Sequence, residues 1–288
     1  MSVCPSASCI RAPAVMSETW RSETTPLHAP LHLRDWLRVF CRALPLVVLV
    51  FGGLLVLLLI RLFERPVCGL RRPVTPFVTQ FVCRGAFVIL GMGYYVSGVP
   101  MRGPGAVVAN HASWLDIFAL NARKRIYFVS KSEVAAWPGI GWLARATGTV
   151  FIRRDRRETV NQITLFRDRL QAGHKLLFFP EGTSTDGLQV LPFKPTLFAA
   201  FLDPALREGM RIQPVTLRYR APVGVDPRCY GWWGDMAFGP HLLATLAMRR
   251  QGAVEVIYHP PVRARDFPDR KTLARALEST VRAGLTAR

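Results

Sequence analysis

His111 and Asp116, in the run Asn110-His111-Ala112-Ser113-Trp114-Leu115-Asp116, are the side chains best suited to moving a proton in this chain. A carboxylate that accepts a hydrogen bond from one imidazole nitrogen fixes the tautomer and leaves the other nitrogen free as a general base. On one continuous helix the two would be poor partners, because five steps at about 100° leave them roughly 140° apart. They meet if His111 occupies a strand-to-helix turn and only Asp116 lies on the helix. Ser113-Trp114-Leu115-Asp116 is a Ser-x-x-Asp pattern, so Ser113 is expected as the N-cap of that helix. Taken alone, the same residues equally fit an aspartate that only caps a helix and a histidine that only turns the chain.

Two further stretches place polar groups directly after an apolar run. Val150-Phe151-Ile152 is followed by Arg153-Arg154-Asp155-Arg156-Arg157. Arginine presents a planar, always-charged fork that matches phosphate oxygens, so this junction reads as an anion site, with a solvated charged loop as the alternative. Leu176-Leu177-Phe178-Phe179 runs into Pro180-Glu181-Gly182-Thr183. Gly182 allows close approach of the backbone to a ligand, Glu181 and Thr183 are placed to hold hydroxyls, and Lys194 adds a positive charge; an ordinary glycine turn is the alternative. Ile212-Gln213-Pro214-Val215-Thr216 carries a proline, which predicts an edge strand or a strand end.

The elements that position these residues follow from periodicity. Strands are expected at 107–109, 126–129, 150–152, 176–179, 212–217 and 254–258. Helices are expected after Ser113 and over 134–146, 158–171, 196–202, 242–250 and 272–284. That alternation predicts an α/β fold with a mostly parallel, mixed sheet flanked by helices, and ligands of such sheets collect at the carboxyl ends of the strands. Upstream, Leu44 to Ile60 carries no charge and is flanked by arginines. As a helix it is about 26 Å long, slightly short of a hydrocarbon core of about 30 Å. It reads as a helix that spans the membrane or lies deep in one leaflet. Phe77 to Val96 reads as a second, amphipathic helix packed on the first or on the membrane. The organisation expected is a disordered N-terminus over 1–30, a two-helix membrane-anchoring segment over 31–97 and an α/β catalytic domain over 98–288.

Net charge is +19, so an anionic partner is expected. Half the residues are hydrophobic and mean hydropathy is +0.19, which fits a globular domain with a membrane attachment. The six cysteines form neither a Cys-x-x-Cys pair nor a ladder with histidine, so no zinc site or disulfide framework is expected. Basic stretches interleaved with stacking aromatics are missing, which argues against nucleic acid as the partner.

In this order the motifs resemble the glycerolipid acyltransferase family typified by 1-acylglycerol-3-phosphate acyltransferases. The likeness rests on His111-x-x-x-x-Asp116, Gly148-Thr149-Val150-Phe151-Ile152-Arg153-Arg154, Phe179-Pro180-Glu181-Gly182-Thr183 and the apolar segment around Pro214, between Val99 and Arg220. It implies a membrane-bound O-acyltransferase that moves a fatty acyl group from an acyl thioester to a lysolipid hydroxyl, 1-acylglycerol-3-phosphate giving phosphatidate. His111 would be the base and Asp116 its orienting partner. Arg154 and Arg157 would hold the acceptor's anionic head group, and Glu181, Gly182, Thr183 and Lys194 would complete the pocket. No metal or cofactor is implied; acyl-CoA or acyl-acyl carrier protein is the co-substrate, and the bacterial inner membrane, with the catalytic domain facing the cytoplasm, is the implied location. Two departures bear on the acceptor. Arg153 stands where the family often has aspartate, and Ser184 stands where arginine often follows Glu-Gly-Thr. The Glu-Gly-Thr-Ser-Thr-Asp-Gly form and the later Tyr230-Gly231-Trp232-Trp233-Gly234-Asp235-Met236 segment resemble the branch acting on lyso-ornithine lipid. A His-dependent hydrolase and a non-enzymatic basic membrane binder are the readings from other classes.

Overall fold

In the computed structural model, residues 19–22, 30–137, 139–152 and 159–287 are described. Two helices come first, α1 (Leu33–Cys68) and α2 (Thr75–Leu90), followed by strand β1 (Gly93–Gly98). Then come β2 (Gly105–Ala109), α3 (Leu115–Arg123), β3 (Tyr127–Lys131), α4 (Ile140–Thr147), β4 (Val150–Ile152), α5 (Thr159–Gln171) and β5 (Lys175–Phe178). The chain closes with α6 (Pro204–Arg207), β6 (Arg211–Arg220), α7 (Phe238–Ala247), β7 (Ala253–Tyr258), β8 (Val262–Arg263) and α8 (Arg270–Thr286).

The strands form one sheet in the order β1-β7-β6-β2-β5-β3-β4, with β8 beside β6. β6, β2, β5, β3 and β4 are mutually parallel, and β7 enters antiparallel to β6. β2 shows why the sheet is buried on both faces. Val107 and Ala109 point into one core with α2, α3 and α7, while Ala106 and Val108 point into the other with α5 and α8. All five residues of β2 are buried, as a central parallel strand requires.

The expected α/β architecture is present, with four local differences. The second apolar stretch is helical only to Leu90: Gly91 at φ +71° ends α2, and Gly93-Tyr94-Tyr95-Val96-Ser97-Gly98 joins the sheet beside β7 instead of continuing the helix to Val96. The helix expected over 134–146 is a short 3-10 turn, Ser132–Ala136, and then α4, separated by Gly139 at φ +71°. The segment expected as a helix over 196–202 is 3-10, Pro195–Leu202. Pro214 lies in a central strand, not at an edge. β8 pairs with β6 at Arg211 and Ile212 and β7 pairs from Val215 onward, so the missing N–H of Pro214 falls between the two ladders, where its carbonyl accepts from His259 N–H at 3.1 Å.

α1 is long and apolar enough to cross a membrane, and with 6% of its most apolar stretch buried it is not a core helix. Glycines bring α1 and α2 together: a Cβ on Gly53 would overlap Val82, and one on Gly85 would overlap Leu49. Arginines then fasten the pair to the α/β domain. Arg38 Nε donates to Ala247 O at 3.0 Å, and Arg42 Nη1 donates to Leu246 O at 2.7 Å and Met248 O at 2.6 Å. Arg84 Nε donates to Ala122 O at 2.7 Å and Arg72 Nη1 to Ala146 O at 2.6 Å. Each acceptor is a carbonyl at the C-terminal end of α7, α3 or α4, where the helix has no N–H of its own to offer.

Candidate active site

Beyond Ala109, β2 leaves the sheet through Asn110. Its side-chain amide continues the strand pairing, donating to Leu217 O at 2.9 Å and accepting from Leu217 N–H at 2.8 Å. The chain then turns at His111 and enters α3 at Leu115, so His111 and Asp116 stand on either side of a strand-to-helix turn. His111 Nδ1 and Asp116 Oδ2 are 2.7 Å apart. The same oxygen accepts from the Ala112 and Ser113 N–H groups at 2.8 and 3.0 Å, and Oδ1 accepts from the Tyr219 hydroxyl at 2.6 Å. Asp116 is fully buried, and every bond it accepts holds it in one position. Trp114, not Ser113, takes the cap position of α3; Ser113 still caps from one residue upstream, its Oγ accepting from Leu115 N–H at 3.3 Å.

The backbone of the turn is tied down from a second loop. His111 N–H donates to Glu181 Oε1 at 2.8 Å, and the other Glu181 oxygen accepts from Leu191 N–H at 2.7 Å. Thr185 N–H donates to His111 O at 2.9 Å, and Trp232 N–H to Ala112 O at 2.8 Å. Expected to hold a substrate hydroxyl, Glu181 is instead buried, with both carboxyl oxygens engaged by backbone; what it positions is His111. Burial pushes its carboxyl up to about 8, against the pull of the Leu191 and His111 amides and with Asp116 adding to the rise. The Tyr219 phenol is pushed well above its usual range by burial, then by the Asp116 charge. It therefore stays a donor to Asp116.

The imidazole lies flat on Phe179, ring centroids 4.1 Å apart and planes 11° apart. Its side chain keeps 24% of its surface exposed while Asp116 keeps none. The pair therefore presents one reachable nitrogen, Nε2, with Nδ1 committed to the carboxylate. Gly182 adopts φ +76° and packs against the Lys194 side chain; a Cβ there would sit 2.9 Å from Nζ. Thr183 Oγ1 accepts from Trp20 N–H at 3.4 Å. Gly182, Thr183 and Lys194 thus belong to the loop that carries Glu181, on the His111 side of the sheet. Arg154 and Arg157 lie outside the described residues.

Asn110, Tyr219 and Thr185 also brace the site, although sequence pattern assigns them no role. Asn110 carried a signal, a polar residue ending an otherwise apolar strand. Tyr219 carried none, because its partner is more than a hundred positions away in sequence, and the sheet order that joins them is not local information.

A family model described as Acyltransferase matches residues 95–218. The chain is 56% identical over 269 residues to the lyso-ornithine lipid O-acyltransferase of Rhodobacter capsulatus, covering 93% of this chain and 98% of that one. It is 32% identical to the 1-acyl-sn-glycerol-3-phosphate acyltransferase of Neisseria gonorrhoeae, across 69% of this chain and 77% of that one. The fold matches the crystal structure of the 1-acyl-sn-glycerophosphate acyltransferase PlsC from Thermotoga maritima with a TM-score of 0.61, at 23% identity, covering 88% of this chain and 95% of that one. A paired histidine and aspartate on a braced turn, in a sheet of this order and with relatives at this identity, place the chain in the acyltransferase family, as an enzyme that transfers acyl groups.

Proposed function

We propose that this enzyme acylates the free hydroxyl of lyso-ornithine lipid, using acyl-CoA or acyl-acyl carrier protein as donor, with no metal or cofactor. The observation that carries the acceptor assignment is 56% identity across nearly the whole chain to a relative of that name. Ser184 agrees with it. An acceptor whose anion is a carboxylate needs fewer arginine forks than one bearing phosphate, and serine here replaces an arginine the family often has. Lysophosphatidate, the acceptor named for the Neisseria relative, is the second reading.

In the reaction, Asp116 accepts the His111 Nδ1 proton in a hydrogen bond and Nε2 takes the proton of the acceptor hydroxyl. The resulting alkoxide attacks the thioester carbonyl carbon. The tetrahedral intermediate collapses by breaking the C–S bond, and the leaving thiolate recovers the proton from His111 Nε2. One ester forms, one thioester is broken and the imidazole returns to its starting state, so no covalent enzyme intermediate is needed. Glu181, Thr185 and Tyr219 keep the base and its partner in register; Lys194 and the arginines 154 and 157 attract the head group.

The bilayer partner is the outer face of α1, where Leu37, Phe40, Leu44, Val48, Phe51, Leu55, Leu59 and Phe63 are exposed. On this reading the helix rests along one leaflet, on the cytoplasmic side of the inner membrane; the arginine ties of α1, near its start and just past its end, to the α/β domain support its lying flat on that leaflet. The test is a turnover panel: purified enzyme with lyso-ornithine lipid or lysophosphatidate, each with acyl-CoA and with acyl-acyl carrier protein. Higher kcat/KM on lyso-ornithine lipid is the expected result. Preference for lysophosphatidate overturns the acceptor assignment, and free fatty acid released without acceptor at full rate overturns the transferase mechanism.

A further inference from the structure

Residues 19–22, which precede α1, lie across the two loops that hold the His111 turn. On one side is the Glu181 loop, where Trp20 N–H donates to Thr183 Oγ1 at 3.4 Å. On the other is the segment 230–236, whose Trp232 N–H bonds Ala112 O. There the Trp20 ring meets the Trp233 ring, centroids 5.8 Å apart and planes at 59°, and Arg21 Nη2 pairs with Asp235 Oδ2 at 2.9 Å. A Cβ on Gly234 would stand 3.5 Å from Trp20 O, so the two backbones approach closely. The stretch thus bridges Thr183 to Trp233 and Asp235, and it engages the Thr183 hydroxyl, a group proposed for the acceptor pocket.

These attachments are of the weak kind. The Thr183 bond is at the long limit of a hydrogen bond. The ion pair is open to water, with 71% of the Arg21 and 77% of the Asp235 side-chain surface exposed, and such pairs are screened by salt and hold little. Trp233 is 2% exposed and its Nε1 has no partner among the described residues, so the closed arrangement leaves a buried donor unsatisfied. The side chains of the stretch have another place to go. Tryptophan favours the interface of a bilayer, and arginine is drawn to that interface where its lipids are anionic. Leu33, the exposed first residue of α1, follows Ser22 by eleven positions, so the stretch is tethered close to the apolar helix.

We infer that residues 19–22 are a displaceable strap that closes the acceptor loop and opens when an anionic bilayer takes up Trp20 and Arg21. The inference rests on the proposal that the Thr183 loop receives the acceptor, and on no particular head group. Closed, the strap occupies Thr183 and joins the two loops; open, it frees both. The acceptor binds the open fraction alone, so loosening the strap raises kcat/KM in proportion.

The experiment measures kcat/KM of the full-length enzyme in neutral detergent, with short-chain lyso-ornithine lipid and with short-chain lysophosphatidate. The ratio of variant to wild type is read on whichever acceptor turns over, so an error in the acceptor assignment leaves the outcome intact. Arg21→Asp and Asp235→Arg should each raise kcat/KM by about fivefold, and Trp20→Ala by about threefold. The double variant Arg21→Asp with Asp235→Arg restores the pair with its charges exchanged and should return to the wild-type value. A fall in the single variants overturns the inference, because the segment is then a fixed wall of the pocket; unchanged rates overturn it as well. A double variant as fast as the single ones overturns the ion pair as the latch. In phosphatidylcholine vesicles, adding phosphatidylglycerol should raise kcat/KM of wild type by about fivefold and leave Arg21→Asp nearly unchanged. Equal gains in both overturn the lipid trigger. Hydrogen exchange at the Trp20 amide reads the strap without turnover: faster exchange in Arg21→Asp is expected, and equal exchange overturns the strap even if neither acceptor reacts.

Discussion

At the carboxyl end of β2, the buried Asp116 carboxylate accepts from His111, Ala112, Ser113 and Tyr219, and Glu181 accepts from two backbone amides. At the other end of the sheet Arg72 Nε has no partner among the described residues, and His174 is buried against Tyr127, ring centroids 4.0 Å apart, with Arg169 and Arg72 beside it. Both ends bury titratable groups, but they satisfy them differently. A turn entering a helix supplies several N–H groups pointing one way, so an acid placed there is saturated locally and held still. A guanidinium has five N–H groups, and the Ala146 carbonyl that Arg72 reaches satisfies only one of them. The acidic end is therefore fixed and suited to chemistry, while the basic end leaves buried donors of Arg72 and Arg169 without a partner among the described residues.

Substitutions test that contrast, the strongest first. His111→Ala removes the base and one of four donors to Asp116, so turnover should fall by about 10²- to 10⁴-fold with a melting temperature lowered by a few degrees and the fold retained; a loss below tenfold would break the assignment of the base. Glu181→Ala strips the acceptor from two part-buried N–H groups, each costing up to roughly 1–3 kcal/mol when unsatisfied. Thermal unfolding should show the lost stability, and kcat should fall with it because the His111 turn is no longer held. If only KM changed, Glu181 would be touching substrate instead. Tyr219→Phe removes one of four donors to Asp116, for a fall in kcat of about tenfold with KM unchanged, in line with roughly 1.5 kcal/mol for a hydrogen bond to a charged group.

The smallest effect concerns pH, and the two ends should carry opposite signs. Burial, then Arg169 and Arg72, push the His174 imidazole down from 6.5 to about 4, so its contribution to stability is present above about 6.5 and lost as pH falls through about 4. Glu181 is raised from 4.5 to about 8, so its contribution is present below 4.5 and lost as pH rises through about 8. Melting curves of His174→Phe should flatten the acid limb only, and those of Glu181→Gln the limb above pH 4.5 only. If either variant changed the other's limb, the two ends would not be separate.

Much of this was legible in the sequence where the information is local. Six apolar runs gave six strands, and the Ser-x-x-Asp pattern located the turn that brings His111 to Asp116. What the sequence did not reveal depends on sheet order or on backbone partners. β1 was hidden because Tyr94-Tyr95-Val96 follows an apolar helix with little change of composition, and only Gly91 and Gly93 mark the break. Pro214 suggested an edge because nothing local shows that two strands share one side of β6 and leave a gap for it. Glu181 looked like a ligand because the Phe-Pro-Glu-Gly-Thr run does not disclose that both its oxygens turn inward to amides.

The four arginines that cap helix ends from α1, α2 and their link have a further consequence. Ala247, Leu246 and Met248, Ala122 and Ala146 are carbonyls of helices packed on the sheet, so the greasy pair cannot tilt or slide without breaking several charged hydrogen bonds. On the leaflet placement proposed above, the height of the imidazole above the lipid surface is thus set by the architecture. A polar group of the wrong reach would carry its alcohol past that level or leave it short. Candidate lysolipids would then be sorted by depth, as on a gauge, before any side chain recognises them.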